Sequence, residues 1–254
     1  MAYTTINKGS LYMNPVIYTG NGGTQSITGV NFQPDFVWYK SRSNAYNHGL
    51  FDSIRGASKF LKSNSTDAES TISGVTAFNS DGFSVGSDAG SNGNGATFAA
   101  WNWKAGTSFT NDASGTGIGT IDSTGSVNTD AGFSICSYTG SGSNGTVKHG
   151  LNSVPKMIIL KNRDSAENWI VGNTSLGWTK YLALNLTDSV STASNIWQDT
   201  TPTSSVFSIG ASGKVNGSTH KMIAYCFAEV KGYSKFGSYV GTGSSTGTPF
   251  IYTG

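Results

Sequence analysis

Two stretches of this chain decide its fold: PDFVWYKSR at residues 34–42 and PKMIILKNR at residues 155–163. In both stretches, apolar side chains occupy both alternating faces. The alternating sets are Phe36 and Trp38 against Val37 and Tyr39 in the first stretch, and Met157 and Ile159 against Ile158 and Leu160 in the second. A short run that is apolar on both faces, bounded by proline and by polar residues, is typical of a fully buried central β-strand.

The two stretches belong to a longer internal repeat. Further blocks match in the same order along the chain. They are VIYTGNGG (16–23) with CSYTGSGS (136–143), GASKFL (56–61) with GWTKYL (177–182), FSVG (83–86) with FSIG (207–210), and AAWNW (99–103) with IAYCF (223–227). A unit that spans all of these blocks is too long for a solenoid repeat and has the length of a small domain. The pattern therefore indicates a tandem duplication.

Short strands separated by Gly-, Asn- and Ser-rich turn signals predict an all-β fold. We expect two tandem antiparallel β-sandwich domains of jelly-roll or lectin-like type. The predicted organisation is an N-terminal leader (1–14), a first β-domain (15–106), a Gly/Ser/Thr-rich linker or hairpin (107–131), a second β-domain (132–235), and a last segment (236–254). That last segment contains GSYVGTGS (237–244), a third version of the repeated phrase. It is interpreted either as the start of a truncated third unit, in a protein that continues beyond Gly254, or as a terminal strand that a neighbouring chain could accept.

The last repeated block carries an aromatic pair in each copy. Trp101 and Trp103 share one face of the predicted strand, and the small residues Ala100 and Asn102 share the other; the second copy places Tyr225 and Phe227 against Ala224 and Cys226. Large side chains fill a core, whereas small ones let another layer approach closely. Core packing is therefore favoured over a platform for stacking sugars or bases.

Composition narrows the function classes. Charged residues make up 12% of the chain and the formal net charge is +2, with no basic run; nucleic-acid binding through phosphate neutralisation is therefore not expected. No apolar run approaches the length of a membrane helix, and the N-terminus has no apolar core of a secretory signal, so membrane insertion is not expected either. The abundant aromatic residues argue against disorder.

The best candidate catalytic cluster is His48, Asp52 and Arg55, followed by Asp67 and Glu69. A glycosidase needs two carboxylates facing one cleft. The corresponding positions of the second copy hold Trp169, Asn173 and Leu176, so at most one unit could be active. A solvated loop with a local Asp–Arg pair is the favoured alternative, and no catalytic residue is assigned.

Metal and cofactor sites are not expected. The three histidines (His48, His149 and His220) lack zinc spacing. Asp88, Asn92 and Asn94 weakly resemble a calcium loop but lack its glutamate, so a tight turn is favoured. The GxG phrases are not followed by a helix signal, which argues against a phosphate site. Cys136 and Cys226 lie in apolar strands and are expected to be buried free thiols.

Lysine and arginine recur at the end of the decisive stretch, as Lys40 and Arg42 and again as Lys161 and Arg163. We expect their stems to cover the edge of a strand while their charges stay at the rim. Contact with a ligand is the alternative.

The blocks YTGNG, ITGVNFQPDFVWYKSR, DSIRGASKFL, DGFSVGSD and NGNGATFAAWNWKAG of the first half resemble a repeat of marine tailed-bacteriophage proteins known as tail-fibre or virion structural proteins. The resemblance extends to the leader, to HGLNSVPKMIILKNRDSAENW (149–169), and to AYCFAEVKGYSKFGSYVGTGSSTG (224–247). It implies a place in the virion, on the tail or the capsid surface, and it carries no binding residue over to this chain.

The leading expectation is therefore a non-enzymatic tail-fibre or receptor-binding component that makes multivalent contact with a host surface. Expected partners are other virion proteins, further copies of the chain (a trimer if it is a fibre), and a host glycan or protein. Three alternatives remain: a capsid decoration (cement) or head-fibre protein; a polysaccharide depolymerase using carboxylates near Asp52 and Glu69; and a plain lectin domain.

Overall fold

A computed structural model of the chain describes residues 4–243, 246–247 and 249–251. Its residues are 39% strand and 8% helix, which confirms the predicted all-β class. All named strand pairs are antiparallel. The helical elements are a 3₁₀ turn (Gly9–Leu11) and four single turns: α1 (Ala89–Asn92), α2 (Ala113–Thr116), α3 (Ser194–Trp197) and α4 (Gly213–Asn216).

The first half of the chain contributes one large and two small sheets. Its strands are β1 (Met13–Thr19), β2 (Gln25–Ile27), β3 (Phe36–Ser41), β4 (Gly49–Asp52), β5 (Lys59–Phe60), β6 (Ser70–Thr71), β7 (Val75–Asn79), β8 (Gly82–Val85) and β9 (Thr97–Trp103). The large sheet has the order β1-β9-β3-β4, and a smaller sheet has the order β2-β8-β7. The hairpin β5-β6 completes this half.

The second half has a larger main sheet. Its strands are β10 (Thr107–Asn111), β11 (Ser123–Asn128), β12 (Phe133–Thr139), β13 (Gly145–Lys148), β14 (Pro155–Asn162), β15 (Ile170–Asn173), β16 (Lys180–Ala183), β17 (Ser191–Thr192), β18 (Val206–Ile209) and β19 (Lys221–Ala228). Eight strands pair in the order β10-β11-β12-β19-β14-β15-β16-β17, and β13 pairs with β18. The central order β12-β19-β14-β15 is that of β1-β9-β3-β4 in the first half.

Each half buries a core between its large sheet and its small one. In the first half, Val37 and Tyr39 of β3 pack with Phe83 of β8 and Ala100 of β9. The small side chains of β9, Ala100 and Asn102, therefore face the smaller sheet, as the alternation predicts. The second core contains its own small sheet and the buried tryptophans Trp178 and Trp197.

The two large sheets also pack against each other, through the faces turned away from these cores. Phe36 and Leu50 of the first half pack with Phe133, Ile159 and Tyr225 of the second. The rings of Phe36 and Tyr225 are stacked with their centroids 4.2 Å apart. Strand β3 is thus covered on both sides, which confirms its predicted burial and supplies the reason.

Residues 107–131 contain the paired strands β10 and β11. Strand β11 also pairs with β12 from Ser123↔Tyr138 to Asn128↔Phe133, so this segment extends the second sheet as a hairpin. Strand β1, the counterpart of β12, has β9 as its one strand partner within the described residues.

The last segment is described only in part, and residues 244–245, 248 and 252–254 lie outside the described residues. In the described residues after Ala228, an isolated bridge joins Val230 to Ser234, and no strand is formed. The third phrase nevertheless keeps one local feature of the repeat. Gly243 has φ +66°, and its counterparts Gly22 and Gly142 both have φ +72°.

Candidate functional site

The structure brings Asp52, Arg55 and Glu69 together, as a cluster at the junction of the two halves. Asp52 ends strand β4, and its Oδ1 accepts the backbone N–H groups of Ile54 and Arg55, which closes the turn after the strand. Its Oδ2 accepts a charge-assisted hydrogen bond from Nε of Arg55 and a 2.7 Å hydrogen bond from the hydroxyl of Tyr225. Tyr225 belongs to β19, so the second half completes the coordination of this carboxylate.

The N–H donors of Arg55 are also occupied within this cluster. Nη1 donates to the carbonyl of Lys59 at 2.9 Å and to Glu69 at 3.2 Å, and Nη2 donates to the carbonyl of Leu50 at 2.9 Å. Its side chain and that of Asp52 are fully buried. Such a charge pair is tolerated in an interior because each remaining donor and acceptor finds a partner.

Glu69 links the cluster to the second half a second time. Nε and Nη2 of Arg163 donate to its two oxygens at 2.9 and 2.8 Å, in the bidentate geometry typical of strong guanidinium–carboxylate pairs. Burial alone raises the pKa of Glu69, but the hydrogen bonds from Arg163 and the charge of Arg55 outweigh it and lower this pKa. The carboxylate is therefore ionised near neutral pH.

This geometry gives the cluster a structural role. The Asp–Arg pair predicted from sequence is present, but the predicted solvated loop is wrong, because the sheet of the second half covers it. An acid/base pair for glycoside hydrolysis needs one carboxylate free to protonate a leaving group. Asp52 is buried and saturated with donors, and Glu69 is held by two guanidinium groups.

The other members of the sequence cluster lie apart from it or are engaged elsewhere. Nδ1 of His48 accepts the indole N–H of Trp38 at 2.9 Å, and burial, with a smaller effect of Lys40, lowers its pKa. Asp67 is exposed and pairs with Lys62. Trp169, the counterpart of His48, is fully buried and donates its indole N–H to the carbonyl of Lys62 at 2.7 Å.

The expectation that Lys161 keeps its charge at the rim of the strand is wrong. Its side chain is fully buried, and Nζ donates to the carbonyls of Thr66, Asn162 and Ser165 at 2.8 to 3.1 Å. Burial lowers its pKa to about 8. Lys40, its half-buried counterpart, donates to the carbonyls of Ser41 and Asn44, so the recurring lysine holds the loop after the strand.

The repeated phrase is explained by a buried asparagine in each half. Nδ2 of Asn92 donates to the carbonyls of Gly23 and Gly86, and its Oδ1 accepts the N–H of Asn21. Asn216 holds the turn of the second phrase in the same way, through Ser141 and Ser143. The side chain of Asn92 therefore holds the turn in place by hydrogen bonds. Within the described residues, no group of three or more His, Cys, Asp or Glu side chains is placed to hold a metal ion.

Sequence reasoning placed Asn92 in a tight turn and Tyr225 in a core, but it missed the hydrogen bonds that both make, and it missed Asn216 altogether. The asparagines could have been found from the sequence, because each is followed by glycine, as Asn92-Gly93 and Asn216-Gly217. These two pairs are as far apart along the chain as the matched blocks FSVG (83–86) and FSIG (207–210). The hydrogen bond of Tyr225 could not, since the hydroxyl meets Asp52 only after the two sheets pack together.

A cavity of about 720 Å³ lies at the junction of the two halves, in its aromatic part rather than at the ionic cluster. Both halves contribute aromatic side chains, and the segments near both termini complete the wall. Its lining includes Trp38, Trp103, Phe133, Phe227 and Tyr233, with Met13 and Met157 between them. Of the predicted aromatic pairs, Trp103 and Phe227 are partly buried and line this cavity, and Tyr225 is buried in the junction, whereas Trp101 is not part of the junction cluster.

The cysteines and the remaining histidines also have structural environments. Cys136 and Cys226 are free and buried, as predicted, and burial raises the pKa of Cys136 to about 12. His149 is fully buried, and Nδ1 of its ring accepts the N–H of Leu151. His220 contacts the side-chain amide of Asn162. None of the helices in the described part of the chain is long and apolar enough to cross a membrane.

Comparison with known proteins adds one finding. No curated protein and no solved structure matches the chain. The model of one family, described as the domain of unknown function DUF7483, matches residues 8–254. Because that match covers almost the whole sequence, the chain belongs to the DUF7483 family.

Proposed function

We propose that this chain is a non-enzymatic structural protein of a bacteriophage virion, acting as a tail-fibre or receptor-binding component. The proposal takes its placement from the resemblance of the repeat to tail-fibre and virion structural proteins. The proposed absence of enzymatic activity is supported by Asp52 and Glu69, the carboxylates with the best catalytic spacing. Their oxygens are committed to ion pairs and hydrogen bonds at the junction.

The observation that carries the proposal is the junction itself. Two large sheets, which share the order of four strands, pack face to face through a buried aromatic cluster, and an ionic cluster ties their rims together. We interpret the two halves as the products of a tandem duplication of a jelly-roll or lectin-like sandwich. A double sandwich joined in this way presents loops from two units in a constant relative orientation, which suits multivalent attachment.

In this function the chain works in contact with other virion proteins and with further copies of itself, as a trimer if it forms a fibre. The surface it engages on the host is a glycan or a protein. The ionic cluster contributes by keeping the two units from rotating relative to each other, so that two weak contacts act together.

The test is to locate the chain on the particles that encode it. Antibodies raised against the purified protein, coupled to gold, should label the tail or its fibres in electron micrographs of intact particles. Label on the capsid faces would replace the fibre function by the alternative of a decoration protein. Particles that remain unlabelled, while the same antibody detects the purified chain, would overturn the virion assignment.

Solution mass provides a second test. Light scattering after size-exclusion chromatography is expected to give a stable trimer for a fibre component. A monomer at micromolar concentration would count against a self-assembled fibre made by residues 1–254 and would favour decoration, in which the capsid lattice supplies the order.

A further inference from the structure

A second concavity lies in the second half and borders the ionic cluster at Arg163, which pairs with Glu69. It has a volume of about 500 Å³ and a polar lining. The lining comprises Thr110, Asn111, Asp112, Asp122, Ser123, Thr124, Ser137, Tyr138, Thr139, Arg163 and Lys221. We call it the hydroxyl cleft.

The strand register arranges these residues in two rows across the sheet. In one row, Thr110 of β10 is paired with Thr124 of β11, which is paired with Ser137 of β12. In the next row on the same face, Thr139 is paired with Lys221 of β19. Because side chains alternate along a strand, residues two apart share a face, so both rows point to the same side.

Charged residues extend the second row at both ends, with carboxylates on one side of Thr139 and basic groups on the other. Asp112 directly follows β10, Asp122 directly precedes β11, and Thr139 lies at the end of β12. On the far side of Thr139 come Lys221 and then Arg163, whose N–H donates to the carbonyl of Lys221 at 2.9 Å. One end of the cleft is therefore acidic, the other basic, and the middle is lined by hydroxyl groups.

Part of this polarity is not used within the described protein, whereas the side chains of Asn111, Ser123, Ser137, Tyr138 and Arg163 are hydrogen-bonded internally. Among the described residues, Asp112, Asp122 and Lys221 belong to no salt bridge, and Thr124 and Thr139 are exposed. Asp112 accepts the N–H of Gly115 and Asp122 accepts that of Ala113, each through Oδ1. Their Oδ2 atoms remain available to a ligand donor.

The hairpin creates this cleft, and the first half provides the comparison. There the counterpart of Ser137 is Ile17, which is 71% exposed on the uncovered strand β1. The counterpart of Thr139 is Thr19, and that of Lys221 is Thr97. The same position of the first half thus lacks the wall formed by β10 and β11, the two carboxylates and the ammonium group.

We propose that the hydroxyl cleft binds an acidic saccharide. The hydroxyl groups of a sugar donate to Asp112 and Asp122 and exchange hydrogen bonds with Thr124 and Thr139. The carboxylate of the sugar lies against the ammonium group of Lys221. Nε and Nη2 of Arg163 stay bound to Glu69. Neighbouring strands are about 4.8 Å apart, so a row crossing five strands extends over roughly 19 Å, enough for more than one sugar ring.

The inference deepens the proposed attachment function, on which its biological role rests, by naming the class of surface molecule. It does not involve the aromatic cavity. Cleavage of the saccharide is not part of it, because Asp112 and Asp122 both lie at the same end of the cleft and its lining holds no further carboxylate opposite them.

The test uses the full chain on an array of glycans carrying uronic acids and sialic acids beside neutral oligosaccharides of the same length. We expect retention of acidic glycans and little retention of neutral ones. For a retained glycan, titration calorimetry should show at least a tenfold weaker Kd in Lys221→Gln and in Asp122→Asn. Lys221 and Asp122 lie at the surface, so both variants are expected to fold.

Thr139→Val and Thr19→Val form a matched pair, because both threonines end corresponding strands. Thr139→Val is expected to weaken binding, and Thr19→Val to leave it unchanged. Retention of no acidic glycan, preference for neutral glycans, or equal binding by Lys221→Gln and the unaltered chain would each overturn the proposal. Particles labelled by the antibody without glycan binding would remove the cleft assignment alone, and glycan binding with unlabelled particles would remove the virion placement alone.

Discussion

The hydroxyl of Tyr225 lies 2.7 Å from Oδ2 of Asp52 and donates a hydrogen bond to it, although 173 residues separate the two in sequence. The two residues come from different halves of the chain, and both are almost completely buried. Burial raises the pKa of Tyr225 well above its ordinary value, so the phenol remains a donor across the physiological pH range. This contact makes the charge pair of the first half dependent on the second half.

Replacing Asp52 by asparagine should destabilise the whole chain. The change leaves Arg55 buried with Glu69 as its one remaining anionic partner, and breaking a buried pair from one side costs about 3–5 kcal/mol. Tyr225→Phe removes the hydrogen bond to Asp52 and the longer one, at 3.4 Å, that the hydroxyl accepts from Nη2 of Arg55. It should cost about 1–2 kcal/mol. Urea unfolding followed by tryptophan fluorescence measures both. A free energy of unfolding within 0.5 kcal/mol of the unaltered chain for Asp52→Asn would show that the cluster does not hold the halves together.

His149 should make the protein less stable in mild acid. Burial lowers its pKa to about 4 in the folded state, from an ordinary value of 6.5. Between these two values the unfolded chain binds more protons than the folded one, so stability falls as the pH is lowered from about 6.5 to about 4. The full shift corresponds to about 3 kcal/mol at most.

The measurement is the free energy of unfolding at several pH values for the unaltered chain and for His149→Gln. The difference between them should narrow as the pH falls, because the variant has no imidazole to protonate. Glu69, whose pKa is lowered, also loses stabilisation in acid, but it is present in both proteins and cancels. Parallel curves from pH 7 to pH 4 would contradict the assigned role of His149.

The repeated turn should be intolerant of a side chain at its first glycine. A Cβ atom on Gly20 would collide with the backbone carbonyl of Gly93, and one on Gly140 with that of Gly217. Gly20→Ala is therefore expected to cost about 1–3 kcal/mol, the usual range for overpacking. Gly23→Ala is the control in the same turn, because its Cβ would meet only an ordinary contact at 3.8 Å, and its melting temperature should change little.

Deleting residues 237–254 should leave the fold intact and test the interpretation of the last segment (236–254) as a strand donor. Phe236 is kept because it lines the aromatic cavity. Tyr239 and Val240 are 67% and 87% exposed, so their removal takes little from either core. If the segment pairs with a neighbouring chain, light scattering will show a smaller assembly than for the full chain, with an unchanged melting temperature. The same mass for both proteins would remove that interpretation.

The sequence predicted the parts of this fold that depend on local pattern. The two-sided strand at 34–42, the small face of Ala100 and Asn102, and the turn character of 87–95 all follow from alternation and turn chemistry, which act within a few residues. For the same reason, the repeat indicated corresponding strands in both halves before any pairing was known.

The junction could not be predicted in this way. The side of β3 that carries Phe36 and Trp38 was expected to be buried, but sequence did not say against what, because the partner surface is formed by strands more than 90 residues away. Lys161 was placed at a rim for the same reason. Its burial depends on Thr66, which belongs to a loop of the other half.

The aromatic cavity brings together the residues that precede the first strand and those that follow the last one. Residues near the start, such as Ile6 and Gly9, line it together with Tyr233 and Phe236, and the rings of Tyr12 and Tyr233 are 6.1 Å apart. These two segments are therefore neighbours. Within a longer polypeptide, such a module would add almost nothing to contour length and would stand out sideways as a branch.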